Sequence, residues 1–321
     1  MGLRVHLIGV CGNDTAATDL ETEISVYPAI QFDPLRIKDR PTSLKTRYRA
    51  GGQQILRVDD EITIDIDDRN ANHILTRASA ALEDTDLMVI SDYGKGALPL
   101  RLLSQIIATA KAKRKHIIAD PKREDVSAYA NVDLLTPNLT ELKAITAMQL
   151  NNIDEIGNAA KALAKTHGFG GILTTLSARG MILSLPDGTQ FHDPASAREI
   201  FDVAGAGDTV VAMIAAAIAA GASLEGAVQL ANHAAGVAVG KSGTAIVAPG
   251  ELLAHFGSTP PKTDWPNIAK ECKKWRNAGQ KVAFANGCFD LLHPGHIHLL
   301  TEAAKTADRL VIGLNSDVSV L

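Results

Sequence analysis

Cysteine is scarce in this chain of 321 residues: Cys11, Cys272 and Cys288 are its whole complement. They form no C-x-x-C pair and no bridge framework. A disulfide-stapled secreted module is therefore excluded, and a reducing, cytoplasmic setting is expected. An excess of positive charge is also missing. The 32 Lys and Arg stand against 36 Asp and Glu, a net charge of −4, which argues against general binding to nucleic acid or an anionic membrane. No apolar run is long enough for a bilayer. The longest, residues 210–220, is short and alanine-rich and reads as a buried helix. Residues 1–10 show no cleavage site and read as a strand rather than a targeting signal. What remains is a 46% apolar chain, longer than one ordinary core, so two globular domains are expected.

Apolar periodicity supplies the architecture. Residues 3–10 read as a buried strand, followed by the turn G-V-C-G-N-D at 9–14. Residues 24–57 read as short strands with polar turns, and so as an accessory sheet rather than a βα unit. From Asn70 the pattern becomes regular. Helices are expected at 71–82, 100–113, 139–147 and 156–167, alternating with strands at 87–91, 116–120, 134–136 and 171–176. That order implies an α/β fold with a mostly parallel sheet and helices on both faces, whose ligands collect at the carboxyl ends of the strands. Residues 257–266, with Pro260, Pro261 and Pro266, read as a linker between domains at 1–256 and 267–321. A helix at 268–277 and strands at 281–285 and 310–315 open the second α/β unit.

Two motifs carry chemistry. Residues 201–211 read F-D-V-A-G-A-G-D-T-V-V. Gly205, Ala206 and Gly207 let backbone N–H groups approach an anion closely, and the helix that follows points its positive end at the same place. Asp208 beside them can accept a proton from an attacking hydroxyl, which points to phosphoryl transfer to an alcohol. A tight strand-to-helix connection would use the same small residues. The second motif is V-A-F-A-N-G-C-F-D-L-L-H-P-G-H at 282–296. An apolar strand runs through Asn286, Gly287 and Phe289 to His293 and His296, which are spaced to share one ligand such as a nucleotide phosphate. A metal pair or two surface histidines would be the plainer readings, although no complete zinc set has the usual spacing.

Other strand ends are polar. S-D-Y-G-K-G at 91–96 closes a strand with acid, aromatic and base together, Asp92, Tyr93 and Lys95. It reads as a ligand-facing end for a sugar or phosphate, or as a polar loop with a capping Asp. D-P-K at 120–122 brings Lys122, which could reach a phosphate, and residues 174–180 bring Thr175, Ser177 and Gly180. T-P-N-L-T-E at 136–141 brings Asn138 and Glu141, which fit either a ligand site or a helix-capping box.

Residues 202–208 closely resemble the D-T-x-G-A-G-D signature of ribokinase-like, PfkB-type sugar kinases, with Val203 and Ala204 in place of the T-x pair. The resemblance implies that Asp208 is the catalytic base and that the amides of Gly205 to Gly207 stabilise the transferring phosphoryl group. It implies that Asn138 and Glu141 form the N-x-x-E motif shaping the magnesium and phosphate environment, with no protein side chain assigned as a direct metal ligand. By the same likeness, Thr175, Ser177 and Gly180 belong to the nucleotide segment, and Asn232 and residues 240–244 flank the adenine. Residues 286–296 resemble the H-x-G-H motif of the nucleotidyltransferases. S-D-Y-G-K-G and L-L-T-P-N-L-T-E resemble the heptose kinase branch, and kinase followed by transferase is the order of the bifunctional heptose 7-phosphate kinase/heptose 1-phosphate adenylyltransferases.

The implied fold is a ribokinase-like, doubly wound, mostly parallel sheet with a small accessory β lid, followed by a partial Rossmann-like nucleotidyltransferase domain. The implied chemistry is MgATP-dependent phosphorylation of D-glycero-β-D-manno-heptose 7-phosphate at O1, then adenylyl transfer from ATP to give ADP-heptose for lipopolysaccharide core synthesis. Lys45, Arg47, Arg49 and Lys95 would suit a phosphorylated sugar, or stand solvated. A homodimer through the lid is expected by the same likeness. Against the family pattern, about 30 residues or more would precede residue 1, and the later half of the transferase domain would follow residue 321. Another PfkB-type kinase with a vestigial tail, or a non-catalytic nucleotide-binding fragment, would carry the same motifs.

Overall fold

The computed structural model describes residues 3–50, 53–196, 202–241, 243–258, 265–287 and 294–314. Its contacts divide into two compact units, Met1–Phe256 and Gly257–Leu321.

The first unit is built on a six-stranded sheet. Counting strands and helices along the chain, it holds β5 (Leu87–Ser91), β6 (His116–Asp120), β7 (Leu134–Leu135), β8 (Ile172–Thr175), β9 (Met181–Ser184) and β10 (Gln190–Asp193), side by side in that order. The β5 to β8 neighbours are parallel and the β8–β9–β10 end is antiparallel. Alternation along β6 explains why both faces are covered. Ile117 and Ala119 face one core and Ile118 the other, and all three are buried. On the first face lie α3 (Leu100–Ala112), α4 (Leu139–Thr146) and α5 (Ile153–His167), which contribute Leu103, Leu142 and Ile156. On the second lie α6 (Ala206–Ala219) and α7 (Leu224–Val239), contributing Val210, Ile214 and Val228. The alanine-rich run expected as a buried helix is therefore α6.

The amino-terminal region departs from expectation. β1 (Val5–Cys11), α1 (Thr15–Ser25) and β2 (Ile30–Arg36) form a β-α-β unit, with β1 and β2 parallel in a two-stranded sheet of their own. Residues 24–57 are thus not one accessory sheet, and β1 is not a buried strand. Val5 is 46% and Leu7 40% exposed, while Ile8, Val10 and Leu35 of the same sheet pack into a small core with α2 (Asp68–Ala81). The accessory element is narrower: β3 (Leu44–Ala50) and β4 (Gln53–Asp60), an antiparallel hairpin. Asp14 fastens its root. One carboxylate caps α1 at Ala17 N (2.9 Å) and accepts from Thr42 N and Oγ1 (2.7 Å each).

In the second unit, α9 (Trp265–Asn277) and α10 (Pro294–Lys305) pack on the parallel pair β11 (Val282–Gly287) and β12 (Arg309–Leu314). α8 (Pro249–Ser258) closes the described part of the first unit.

Candidate active site

The carboxyl ends of β5 and β6 and the amino end of α6 bring the chemical groups together. Gly205 stands just before α6 with φ 79° and ψ 0°, a left-handed conformation that glycine adopts without strain. Asp202 holds this turn by accepting from Ala204 N (3.0 Å) and Gly243 N (3.2 Å). Gly207 and Asp208 fall in the first helical turn, where amides have no partner further up the helix and the dipole is positive. A Cβ on Gly207 would meet nothing within 4 Å, so the approach to these amides is open. The Asp208 carboxylate is exposed beside them, and Tyr93 Oη donates to its Oδ1 at 2.8 Å.

Asp120 ends β6 nearby. Burial pushes its carboxyl up to about 6, and the Glu141 and Asp208 charges push the same way, against a Thr136 hydrogen bond and Lys122. Desolvation and the bond to Asp208 also raise the Tyr93 phenol. Negative charge therefore converges where α6 presents positive amides. That field suits a nucleotide polyphosphate carrying a divalent cation. Among the described residues no group of three His, Cys, Asp or Glu is placed to hold a metal ion.

Several sequence candidates have partners within the protein. Asp92 is buried, and its carboxylate accepts from Gly94 N (2.8 Å), Arg123 Nε (2.8 Å) and Tyr129 Oη (2.7 Å). These bonds organise the loop that follows β5. Asn138 and Glu141 form a reciprocal capping box on α4, with bonds of 2.9 and 3.0 Å, and Glu141 also takes Lys122 Nζ at 2.8 Å. Gly180 has φ 85°, and a Cβ there would lie 2.0 Å from Asp193 O, so close packing is what demands glycine. Buried Asn232 donates to Asp193 Oδ2 and Pro194 O (2.7 Å each), tying α7 to the end of β10. Thr175 closes β8 with its N–H on Pro137 O (3.1 Å), and Ser177 opens a short turn at φ 53°.

On the lid, Lys45 bridges to Asp59 (3.2 Å) and Glu61 (2.7 Å), and Lys95 also pairs with Glu61. Arg47 stands opposite Arg57 in the hairpin register. In the second unit Asn286 and Gly287 end β11, and His296 falls in the first turn of α10. Cys288, Phe289 and His293 lie outside the described residues. Tyr93 was marked only as the aromatic of a ligand-facing strand end, and Asp120 and Asp202 were given no role by sequence reasoning. Their one signal was position, each at a strand end or a motif edge.

Residues 1–250 match the pfkB family carbohydrate kinase model. The chain belongs to the pfkB family of carbohydrate kinases. Behind the pfkB domain, residues 284–320 match the cytidylyltransferase-like family. Curated relatives are named as bifunctional proteins. The "Bifunctional protein HldE" of Paramagnetospirillum magneticum is 42% identical over the whole chain and that of Rhodospirillum rubrum 41%. The chain covers 67% and 66% of those two proteins, about two thirds of their length. It is a carbohydrate kinase joined to a nucleotidyltransferase-like segment, an enzyme chain of that bifunctional group. Solved structures give the pfkB domain its ribokinase-like fold. Phosphofructokinase-2 of Escherichia coli, in complex with potassium, aligns with a TM-score of 0.69 at 21% identity over 80% of this chain and 82% of its own. Ribokinase of Arabidopsis thaliana, complexed with ribose and ATP, aligns at 0.63 and 20%, over 78% and 81%. No described helix is long and apolar enough to cross a membrane.

Proposed function

We propose that the pfkB domain transfers the γ-phosphoryl group of ATP to O1 of D-glycero-β-D-manno-heptose 7-phosphate. The observation that carries this reading is the placement of Asp208 in the first turn of α6, directly after the left-handed Gly205. Asp208 takes the proton of the sugar hydroxyl as its oxygen bonds to phosphorus. The bond from phosphorus to the bridging oxygen breaks, and ADP leaves. The amides of the turn stabilise the equatorial oxygens of the migrating group. Magnesium, when bound with the nucleotide, would neutralise phosphate charge, and Asp120 would hold it, with the capping-box carboxylate of Glu141 adding negative charge beside it. Lys45, Arg47 and Arg57 share one face of the lid hairpin with Asp59, which bridges Lys45 and Arg57, and the net positive charge of this face takes the 7-phosphate. Like charges set opposite each other, as Arg47 and Arg57 are, are relieved by an anion.

The second unit couples the heptose 1-phosphate to ATP. A phosphate oxygen of the sugar attacks the α-phosphorus, pyrophosphate leaves, and ADP-heptose forms. His293 and His296 stabilise the charge on the α-phosphate, and Asn286 and Gly287, which end β11, belong to the same motif. The protein works in the cytoplasm as a homodimer. Its contact is the other face of the hairpin, where Leu44, Tyr48, Leu56 and Val58 are each about half exposed.

Asp208→Asn is the test. Sugar phosphorylation falls by several orders of magnitude, to a residual rate still readable in single-turnover assays, while ATP binding by calorimetry persists, and unchanged turnover would reject the base. A screen of heptose 7-phosphate against fructose phosphates and ribose checks the substrate. His293→Ala or His296→Ala lowers adenylyl transfer and spares the kinase, whereas equal loss of both activities would make the histidines structural.

A further inference from the structure

Tyr93 is an aromatic residue with no packing reason to stand where it does. It is 55% exposed, yet its hydroxyl meets Asp208 across 115 positions of sequence. The loop that carries it is held from three sides. Gly94, at φ 63°, donates to the buried Asp92 carboxylate, which Arg123 and Tyr129 grip in turn. Gly96, at φ 73°, has no room for a Cβ, which would lie 2.0 Å from Ile64 O, and its own carbonyl accepts from Ile66 N at 2.9 Å. Arg40 donates to Ile64 O at 2.9 Å and to Lys95 O, and Lys95 pairs with Glu61 at the foot of the lid. A phenol on so constrained a loop is aimed.

Building on the assignment of Asp208 as base, we propose that Tyr93 is a positioning residue for that base. Its hydroxyl engages Oδ1 and fixes the carboxylate's rotation. Oδ2 is thereby turned to the sugar hydroxyl, with its lone pair directed at the proton it will take. A free aspartate on a helix's first turn samples several rotamers, and only some are productive; a fixed one raises the fraction of encounters in attack geometry. The contribution is to kcat, since neither ATP nor sugar need touch the phenol. Because the same loop is clamped by Arg40 and Glu61, the aim of the base is referred to the root of the lid.

Two measurements on the full chain test this. The first is a double-mutant cycle of Tyr93→Phe with Asp208→Asn, using the sugar phosphate that is turned over fastest in the substrate screen. Tyr93→Phe lowers kcat by roughly ten- to a hundredfold, the span expected for losing a hydrogen bond to a charged acceptor, and leaves the KM for ATP within about twofold. In the Asp208→Asn background the same change has no further effect, because the phenol acts only through the carboxylate. The second uses no substrate. With tyrosine labelled at the ring Cζ, the resonance missing in Tyr93→Phe belongs to Tyr93. It shifts in Asp208→Ala, while the signals of Tyr27, Tyr48 and Tyr129 stay in place. An unchanged or raised kcat in Tyr93→Phe overturns the proposal, since the phenol would then be idle or would obstruct the sugar. An equal loss in both backgrounds, or a Tyr93 signal indifferent to Asp208, overturns it as well. Retained turnover in Asp208→Asn alone would remove the base itself, and the role of Tyr93 with it.

Discussion

Replacing Asp92 by Asn separates a structural carboxylate from a substrate ligand. In the folded chain its Oδ1 accepts from Gly94 N, and its Oδ2 from Arg123 Nε and Tyr129 Oη, all within 2.8 Å. The Asp92 side chain is only 3% exposed and that of Arg123 23%. Asparagine keeps the shape but has one acceptor oxygen where two are needed. Whichever way the amide turns, an N–H faces another donor, and the guanidinium loses its counter-charge. Breaking a buried pair by removing one partner costs about 3–5 kcal/mol, and the partial exposure of Arg123 places this case near 3. For a unit of this size each kcal/mol moves the melting temperature by roughly 2–4 °C, so a fall of roughly 6–12 °C is expected. The assay is thermal unfolding of the full chain followed by circular dichroism, paired with kinase kinetics well below the transition. There the KM for the sugar phosphate stays close to wild type. An unshifted transition together with a several-fold rise in that KM would refute the reasoning and return Asp92 to the substrate.

Asp120→Asn stabilises the ligand-free chain at pH 8 and leaves it unchanged near pH 4. The folded chain keeps this proton up to about pH 6, whereas an unfolded aspartate releases it near ~3.9, so stability falls as pH rises between the two values. A lowered melting temperature at pH 8 would contradict that sign. Gly205→Ala places its Cβ at an ordinary 3.5 Å from Thr244 Cγ2, so its cost is the left-handed backbone alone, about 1–2 kcal/mol by urea denaturation. Kinase kcat falls with it, because the turn's amides move; full activity in a destabilised variant would show that the amides do not touch the phosphoryl group.

The four parallel strands of the central sheet were readable because each is a short apolar run bounded by polar turns, whereas the antiparallel pair Met181–Ser184 and Gln190–Asp193 was not, the second being the mixed run Q-F-H-D. Leu87–Ser91 and His116–Asp120 lie at the expected residues. The small sheet of β1 and β2 was not readable. Asp33 and Pro34 interrupt the apolar run of β2, and nothing local indicates that it pairs in parallel with a strand beyond an intervening helix. Asn138 and Glu141 show the limit of motif reading. Spacing alone fits a capping box and a ligand pair equally, and the side chains form the box. Asp208 stood out because small residues and an acid adjoin it in the chain. Its pairing with Tyr93 did not, since a hydrogen bond between distant loops leaves no periodicity in either segment.

The clasp at the root of the lid has a consequence for recombining such kinases. Arg40 reaches carbonyls on two separate stretches, Ile62 and Ile64 before α2 and Lys95 after β5, and Gly96 nests against the first of these. A lid grafted from a cousin without its matching loop would arrive with a guanidinium short of acceptors, or with a methyl group pressed into a carbonyl. The hairpin, Arg40 and residues 92–96 are therefore one inheritable cassette, to be exchanged together or left alone.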